Sequence, residues 1–300
     1  MVATITLNPS LDYWIEVLNP QIGILNRTLA EAVFPGGKGI NVSILLSRLG
    51  IENEALGFLA GFTGKEIEQK LQQEGCKTKF IQLKDGLTRI NVKVRGDEET
   101  EFNARGPRVS DAELNQLYRQ VGSLRAGDYL VMSGSVPAGM PLDVYSRILS
   151  ACEGRDLQTV IDTTGQALWQ TLPFRPFLIK PNHHELGELF GTDCASAETA
   201  LELSSRLQKE GARNVLVSMA GAGAVFLGEK GETFCLPAPK GSLKNSVGAG
   251  DSMVAGFLAE YIKTQDMYAA FRFAVAAGSA SAFSPWLAEL ESIEDLLTQI

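Results

Sequence analysis

Along most of its length the chain switches between short apolar runs and segments of helical period. VATITL (2–7), EALGFL (54–59), DYLVMSG (128–134), TVIDTT (159–164), FLIK (177–180) and NVLVSM (214–219) read as strands. KGINVSILLSRLG (38–50), KEIEQKLQQEG (65–75), LDVYSRILSAC (142–152) and ALELSSRLQKEG (200–211) read as helices, three of them closed by glycine. Strand and helix in alternation imply right-handed βαβ crossovers. The expected fold is therefore α/β, a mainly parallel sheet covered by helices on both faces. No long linker, low-complexity tract or internal repeat breaks the chain, so one domain over 1–300 is expected.

Two segments depart from the pattern. LDYWIEVLN (11–19) and TRINVKVRGDEETEFNARG (88–106) alternate with period two. In the second, Ile90, Val92 and Val94 share one face, and Arg89, Asn91 and Lys93 share the other. RGDEE supplies a turn and TEFNAR an antiparallel return. Together they predict a small accessory sheet inserted in the α/β body, over about 11–34 and 86–106. An edge hairpin with a solvated face and a lid over a ligand fit this pattern equally.

The formal net charge of −8 argues against a general nucleic-acid binder, whose phosphate contacts need a basic surface. Small anions stay open, because a few local Lys and Arg residues can hold them. Cys76, Cys152, Cys194 and Cys235 are far apart and form no C-x-x-C, so free thiols in a reducing compartment are expected. MVATITLNPS lacks a basic leader, and no run approaches the length of a membrane span. The expected location is the cytoplasm.

The motif with most chemical content is NSVGAGDSMVAGF (245–257). Glycines let a ligand approach the backbone, and the first amides of a following helix lack intrahelical partners. Those amides and the helix dipole favour an anion, such as a phosphoryl group in transit. Asp251 at that point could take a proton from a hydroxyl. Read alone, it is better explained as an N-cap. FPGGKGINVS (34–43) is a second glycine-rich helix start, where Lys38 could neutralise a phosphate and Asn41 adds a neutral donor and acceptor. In LIKPNHHELGEL (178–189), Asn182 and Glu185 lie three apart. Glu185 could hold magnesium through water, or the two could simply cap a short helix. H-E-x-x-H fails because position 188 is Glu, so His183 and His184 read as surface residues. VSMAGAGAVF (217–226) reads as strand, tight turn, strand. TLNPSLD (6–12) ends the first strand, where open α/β sheets bind ligands, and offers Asn8 and Asp12. GFTGKE fails the Walker pattern, with Leu59 at the first glycine and Glu66 last. GAGAVF fails the dinucleotide fingerprint at Phe226.

Taken in order, TLNPSLD, GGKGINV, TRINVK, SGSVP, KPNHHEL, VSMAGAGAV and SVGAGDSMVAGF resemble the PfkB, or ribokinase-like, family of carbohydrate kinases. The resemblance covers essentially the whole chain, and its last element is the family's C-terminal signature. The first three elements point to the phosphosugar branch. It implies a ribokinase-like three-layer α/β/α fold with a β-sheet lid, ATP as co-substrate and Mg²⁺. Asp251 matches the catalytic base, and Gly248, Ala249 and Gly250 match the anion hole. Asp12, Gly37, Lys38, Asn41, Arg89, Asn103 and Ser135 match phosphosugar positions. Lys180, Asn182, Ser218, Ala220, Gly221, Gly223 and Val247 match nucleotide-side positions, and Glu185 the acid of a magnesium-linked N-x-x-E motif. The lid implies a homodimer. Two departures stand out: Ala220 where relatives favour glycine, and AFSPWLAE (282–289) in place of an Asn-containing stretch, which leaves Ser284 at the adenine side.

The expected reaction is ATP-dependent phosphorylation of fructose 1-phosphate at O6. The nearest alternatives are a tagatose-6-phosphate kinase and a 6-phosphofructokinase of the same family. A non-catalytic sugar-phosphate sensor is disfavoured because Asp251 and its glycines are present. An oxidoreductase would need the fingerprint that is missing.

Overall fold

A computed structural model describes residues 1–96 and 99–300. In chain order its elements are β1 (Val2–Thr6), β2 (Ser10–Glu16), β3 (Ala30–Gly36), α1 (Lys38–Arg48), β4 (Asn53–Ala60), α2 (Gly61–Gln73), β5 (Lys77–Thr78), β6 (Ile81–Leu83), β7 (Arg89–Arg95), β8 (Glu99–Asn103), α3 (Asp111–Val121), β9 (Tyr129–Ser133), α4 (Val144–Ala151), β10 (Gln158–Asp162), α5 (Gly165–Trp169), β11 (Leu178–Ile179), α6 (His183–Phe190), α7 (Ala197–Lys209), β12 (Asn214–Ser218), β13 (Ala224–Leu227), β14 (Thr233–Leu236), α8 (Ala249–Thr264), α9 (Met267–Ala282) and α10 (Leu290–Leu297).

The large sheet has the order β14-β13-β12-β11-β10-β9-β1-β4-β5, with β6 also on β4. Pairings from β12 to β5 are parallel, and β13 and β14 are antiparallel. Alternate strand residues enter opposite cores, as a sheet buried on both faces requires. Ala3, Ile5, Met132, Ile161 and Val217 pack with Leu117, Ile148, Leu186 and Leu203 of α3, α4, α6 and α7. Val2, Val131, Val160 and Leu216 pack with Phe257 and Phe271 of α8 and α9. The three layers expected from the alternation are present. The four cysteines are free, with Cys235 the exposed one. Among the described residues no helix is long and apolar enough to cross a membrane.

The second sheet has the order β3-β2-β7-β8. β2 pairs parallel to β7 with Ser10 opposite Arg89 and Asp12 opposite Asn91, and β8 returns antiparallel. Of the turn expected at RGDEE, positions 97 and 98 lie outside the described residues. β3, which pairs antiparallel with β2, was not foreseen as a strand. α2 begins at Gly61, ahead of the expected Lys65. Its first turn is glycine-rich and is held by tertiary contacts, with Thr63 Oγ1 donating to the Thr88 carbonyl at 2.7 Å.

Candidate active site

The chain crosses from β1 to β4 on one side and reaches β9 on the other, so the strand order reverses at β1. Ligands of open α/β sheets bind at the carboxyl ends around such a point. Here those ends open into a cleft of about 1160 Å³, roofed by the small sheet. Asn8, Ser135, Lys180, Asn182 and Ser218 follow or end the parallel strands and line it.

Asp251 is the third residue of α8 and is 5 % exposed. It does not cap the helix. Gly248 occupies the N-cap with φ +82°, and no side chain caps the helix there. The first amides of α8 are thus left for another acceptor. A Cβ at Gly248 would stand 2.7 Å from Leu287 Cδ2, so both the turn and its packing require glycine. Asp251 Oδ2 accepts instead from Asn41 Nδ2 at 2.8 Å, across from α1. Burial, helped by the charge of Asp162, pushes the Asp251 carboxyl up to about 6, against the pull of Lys38, Asn41 and Lys180. A carboxylate in that range is ionised at neutral pH yet basic enough to take a proton.

Asp162, at the end of β10, is a site residue that the sequence reading missed. One of its oxygens meets both Lys38 Nζ (3.3 Å) and Lys180 Nζ (3.4 Å). The other is buried with no hydrogen-bond partner. Burial raises the Asp162 carboxyl, but Lys180 and Lys38 outweigh it and hold the group below its ordinary value. Lys38 is raised in turn: burial works against its charge, and Asp162, Asp251 and Glu185 together win. In sequence TVIDTT is simply a strand end, and nothing local marks its acid.

The lid wall carries the polar face expected of TRINVK: Arg89, Asn91 and Lys93 all line the cleft. Asp12 Oδ1 accepts from Ser10 Oγ at 2.6 Å and from Asn91 Nδ2 at 2.9 Å. Arg89 donates to the carbonyls of Asn8 (3.2 Å) and Ala104 (3.3 Å), and burial lowers its guanidinium despite Asp12. Lys93 pairs with Glu101 at 3.0 Å, a cleft residue that was not anticipated. Asn103 Nδ2 donates to Glu101 at 3.1 Å and does not itself line the cleft, although Glu101 on the same strand does. Two of the glycines of GGKG serve the protein's own packing, while Gly37 lines the cleft as expected. A Cβ at Gly36 would fall 2.5 Å from Asp12 Oδ2, and one at Gly39 would fall 2.5 Å from the Ile5 carbonyl.

The opposite wall holds Lys180, Asn182, Ser218, Ala220, Gly221, Gly223 and Val247. Asn182 and Glu185 form a complete capping box at α6: Asn182 Oδ1 accepts from Glu185 N (2.8 Å) and Glu185 Oε2 from Asn182 N (2.9 Å). The capping alternative therefore holds, and Glu185 still lines the cleft. His183 and His184 line it too, rings 3.9 Å apart. Among the described residues no three His, Cys, Asp or Glu gather into a metal cluster. The expected strand–turn–strand at 217–226 is β12, a 3₁₀ turn and β13, with Ala220 at φ +49°. Ser284 does not line the cleft, whereas Phe283 does, because α9 ends there and turns the chain away. Pro239, Lys240 and Leu243 add an irregular loop to this wall that no motif signalled.

Residues 12–289 match the profile of the pfkB family of carbohydrate kinases. The chain is 46 % identical over 300 residues to a 1-phosphofructokinase of Bacillus subtilis, covering all of this chain and 98 % of that one. It is 35 % identical over 301 residues to a D-tagatose-1-phosphate kinase of Bacillus licheniformis, covering 100 % and 98 %. The solved structure of phosphofructokinase-2 from Escherichia coli in complex with substrates and products superposes with TM-score 0.93 at 28 % identity, over 99 % and 98 % of the two chains. Ribokinase of Arabidopsis thaliana shares the fold, with TM-score 0.79 at 19 % identity over 99 % and 98 %.

Proposed function

The chain belongs to the pfkB family of carbohydrate kinases, and we propose that its reaction is transfer of the γ-phosphoryl group of ATP to O6 of D-fructose 1-phosphate. The products are fructose 1,6-bisphosphate and ADP. The observation that carries this reading is a buried carboxylate, tuned to about 6, in the first turn of a helix whose leading amides have no side-chain cap. Full-length similarity to a 1-phosphofructokinase supports the choice of sugar.

In this reading Asp251 receives the O6 proton as the new O–P bond forms and the bond to ADP breaks. The amides of Gly248, Ala249 and Gly250 face the moving phosphoryl, where preorganised donors act most strongly. Lys38 and Arg89 neutralise the phosphate of the sugar, Asp12 and Asn41 orient its hydroxyls, and Ser135 stands beside them. Lys180, Asn182, Ser218, Ala220, Gly221, Gly223 and Val247 hold the nucleotide. The unpartnered oxygen of Asp162 and the carboxylate of Glu185 fit Mg²⁺, which takes few protein oxygens and keeps water and phosphate as its other ligands. Bound there, Mg²⁺ would offset charge on the phosphates.

The chain acts as one kinase domain with the small sheet as its inserted lid, in the cytoplasm. The outer face of the lid leaves Ile90 39 % and Phe102 61 % exposed, which supports a homodimer formed through it. Phe102→Asp should then lower the molar mass in solution to that of a monomer.

The second reading keeps the mechanism and changes the sugar to D-tagatose 1-phosphate, as the name of the 35 % identical relative suggests. ADP release measured with fructose 1-phosphate, tagatose 1-phosphate, tagatose 6-phosphate and fructose 6-phosphate decides. The highest kcat/KM is expected for fructose 1-phosphate. A 6-phosphate as best substrate would reverse the choice, and no turnover with any of them would leave a sensor.

A further inference from the structure

The segment AFSPWLAE, set aside in the sequence as a departure, does not supply a cleft residue at Ser284. It runs between the two halves of the site. Trp286 stacks on Phe34 with ring centroids 4.8 Å apart and planes at 24°. Phe34 belongs to lid strand β3 and is the register partner of Asp12. The guanidinium of Arg48 lies 5.1 Å from the Trp286 ring centroid. Through Nη1 it donates to the carbonyls of Leu287 (3.0 Å) and Ala288 (3.3 Å), while Glu74 holds its other edge at 2.9 Å. Next in the chain, Leu287 is 4 % exposed and sits against Gly248, the N-cap of α8. Asn245 Nδ2 donates to the Pro285 carbonyl at 3.2 Å. The Ala288 amide donates to Ser281 Oγ at 3.0 Å, which meets Ser252 Oγ of α8 at 2.7 Å. The segment is thus fastened to the loop that would hold the moving phosphoryl, and its aromatic ring is fastened to the lid.

We infer that Trp286 is a positioning residue that makes lid strand β3 and the Gly248 loop move as one unit, so that sugar phosphate and nucleotide each strengthen the binding of the other. The inference rests on the reading of the cleft given above. Phe34 carries lid displacement to Trp286, Arg48 keeps the ring and the Leu287–Ala288 backbone rigid, and Leu287 passes the displacement to Gly248. Packed side chains and rigid elements carry coupling between separated sites when both sites bias one two-state element, and reciprocal binding measurements reveal such an element. Plain apolar filling would stabilise the fold without linking the ligands.

Titration calorimetry separates the two. Fructose 1-phosphate and a β,γ-imido analogue of ATP with Mg²⁺ are each titrated alone and with the other at saturation. In the unmodified enzyme each should tighten the other by about 5-fold or more, the lower end of ordinary site–site coupling, and by the same factor in both directions. Trp286→Leu and Phe34→Leu, which cut the stack from either side, should bring that factor toward one while the analogue alone binds as before. Trp286→Phe should keep the coupling. Coupling that survives both leucine variants, or unmodified enzyme that binds both ligands independently, overturns the inference while leaving the kinase reading in place. Unmodified enzyme that binds neither ligand removes the kinase reading and this inference with it.

Discussion

Asp251→Asn should make the ligand-free protein more stable and at the same time nearly inactive. The carboxyl is raised from an ordinary 3.8 to about 6, chiefly by burial and then by Asp162. A folded-state value above the unfolded one means that the favourable contribution is complete below about 3.8 and is lost as pH rises through about 6. At pH 8 the folded chain therefore carries an ionised Asp251 at a cost. A rise of roughly two pH units at about 1.4 kcal/mol each sets that cost near 3 kcal/mol. Asparagine removes the charge and keeps an oxygen for the 2.8 Å bond from Asn41. Unfolding by urea at pH 8 should show the variant more stable by up to about 3 kcal/mol, a Tm gain of roughly 5 °C in a chain of this size. The gain should shrink to roughly half between pH 8 and pH 5, as the native group takes up its proton. In the ADP-release assay kcat should fall by about 10²–10⁴, the ordinary worth of a general base. A variant that is less stable at pH 8, or a gain that does not change with pH, would refute the assigned burden. Near-normal turnover would refute the base.

The remaining predictions concern the neighbours of that group. Asp162→Asn removes a charge that raises Asp251 and frees two lysines that lower it, so the acid limb of kcat/KM should move below about pH 6; an upward or absent shift sinks the assignment. Arg89→Ala should raise KM for the sugar phosphate by about 10-fold or more, as loss of a charge-assisted contact of about 1.5–3 kcal/mol implies, with KM for ATP unchanged. An effect on ATP alone would mean that the two ends of the cleft have been exchanged. Gly248→Ala forces φ +82° on an L-residue and a 2.7 Å approach to Leu287. Denaturation should show a loss of at least about 1–2 kcal/mol, and a neutral result would mean that the loop adapts freely.

How far the sequence carried this reading depended on whether a feature was local. The central strands of the large sheet are short apolar runs and the polar face of β7 is an alternation, both visible in a single window, whereas β5, β6 and β14 are too short or too mixed to stand out. SVGAGDS carries its meaning in consecutive residues and is legible for the same reason, although Asp251 lies in the first turn of the helix and not at its cap. Asp162 was not legible, because its role comes from Lys38 and Lys180, which are distant in sequence and meet it only when α1, β10 and β11 converge. In GGKG, Gly36 and Gly39 accommodate Asp12 and Ile5 while Gly37 faces the cleft, and no local pattern tells a glycine made for a ligand from one made for a neighbour. Asn103 matches its motif position, but its amide donates to Glu101, a pairing that β8 alone does not reveal in sequence. β3 was missed because proline and glycine weaken its strand signal, while pairing with β2 supplies the order.

The charges around the cleft also explain why the site needs a helix end and a divalent cation in addition to basic side chains. Lys38, Arg89, Lys93, Lys180 and Lys240 line it, but so do Asp12, Glu101, Glu185 and Asp251, and Asp162 lies just beneath. Several cations are already engaged: Lys38 and Lys180 by Asp162, and Lys93 by Glu101. A phosphosugar and ATP would together bring more negative charge than the remaining cations could offset. Packing in further lysines would lower Asp251 and weaken it as a base. Neutral donors at the start of α8 and a cation that arrives with the nucleotide add positive potential only where the phosphates sit. The free site can then keep its carboxylate basic at a protonation range useful near neutral pH. Asp162 fits this arrangement, since it holds two lysines ready for phosphate while its own charge keeps the base from becoming too acidic.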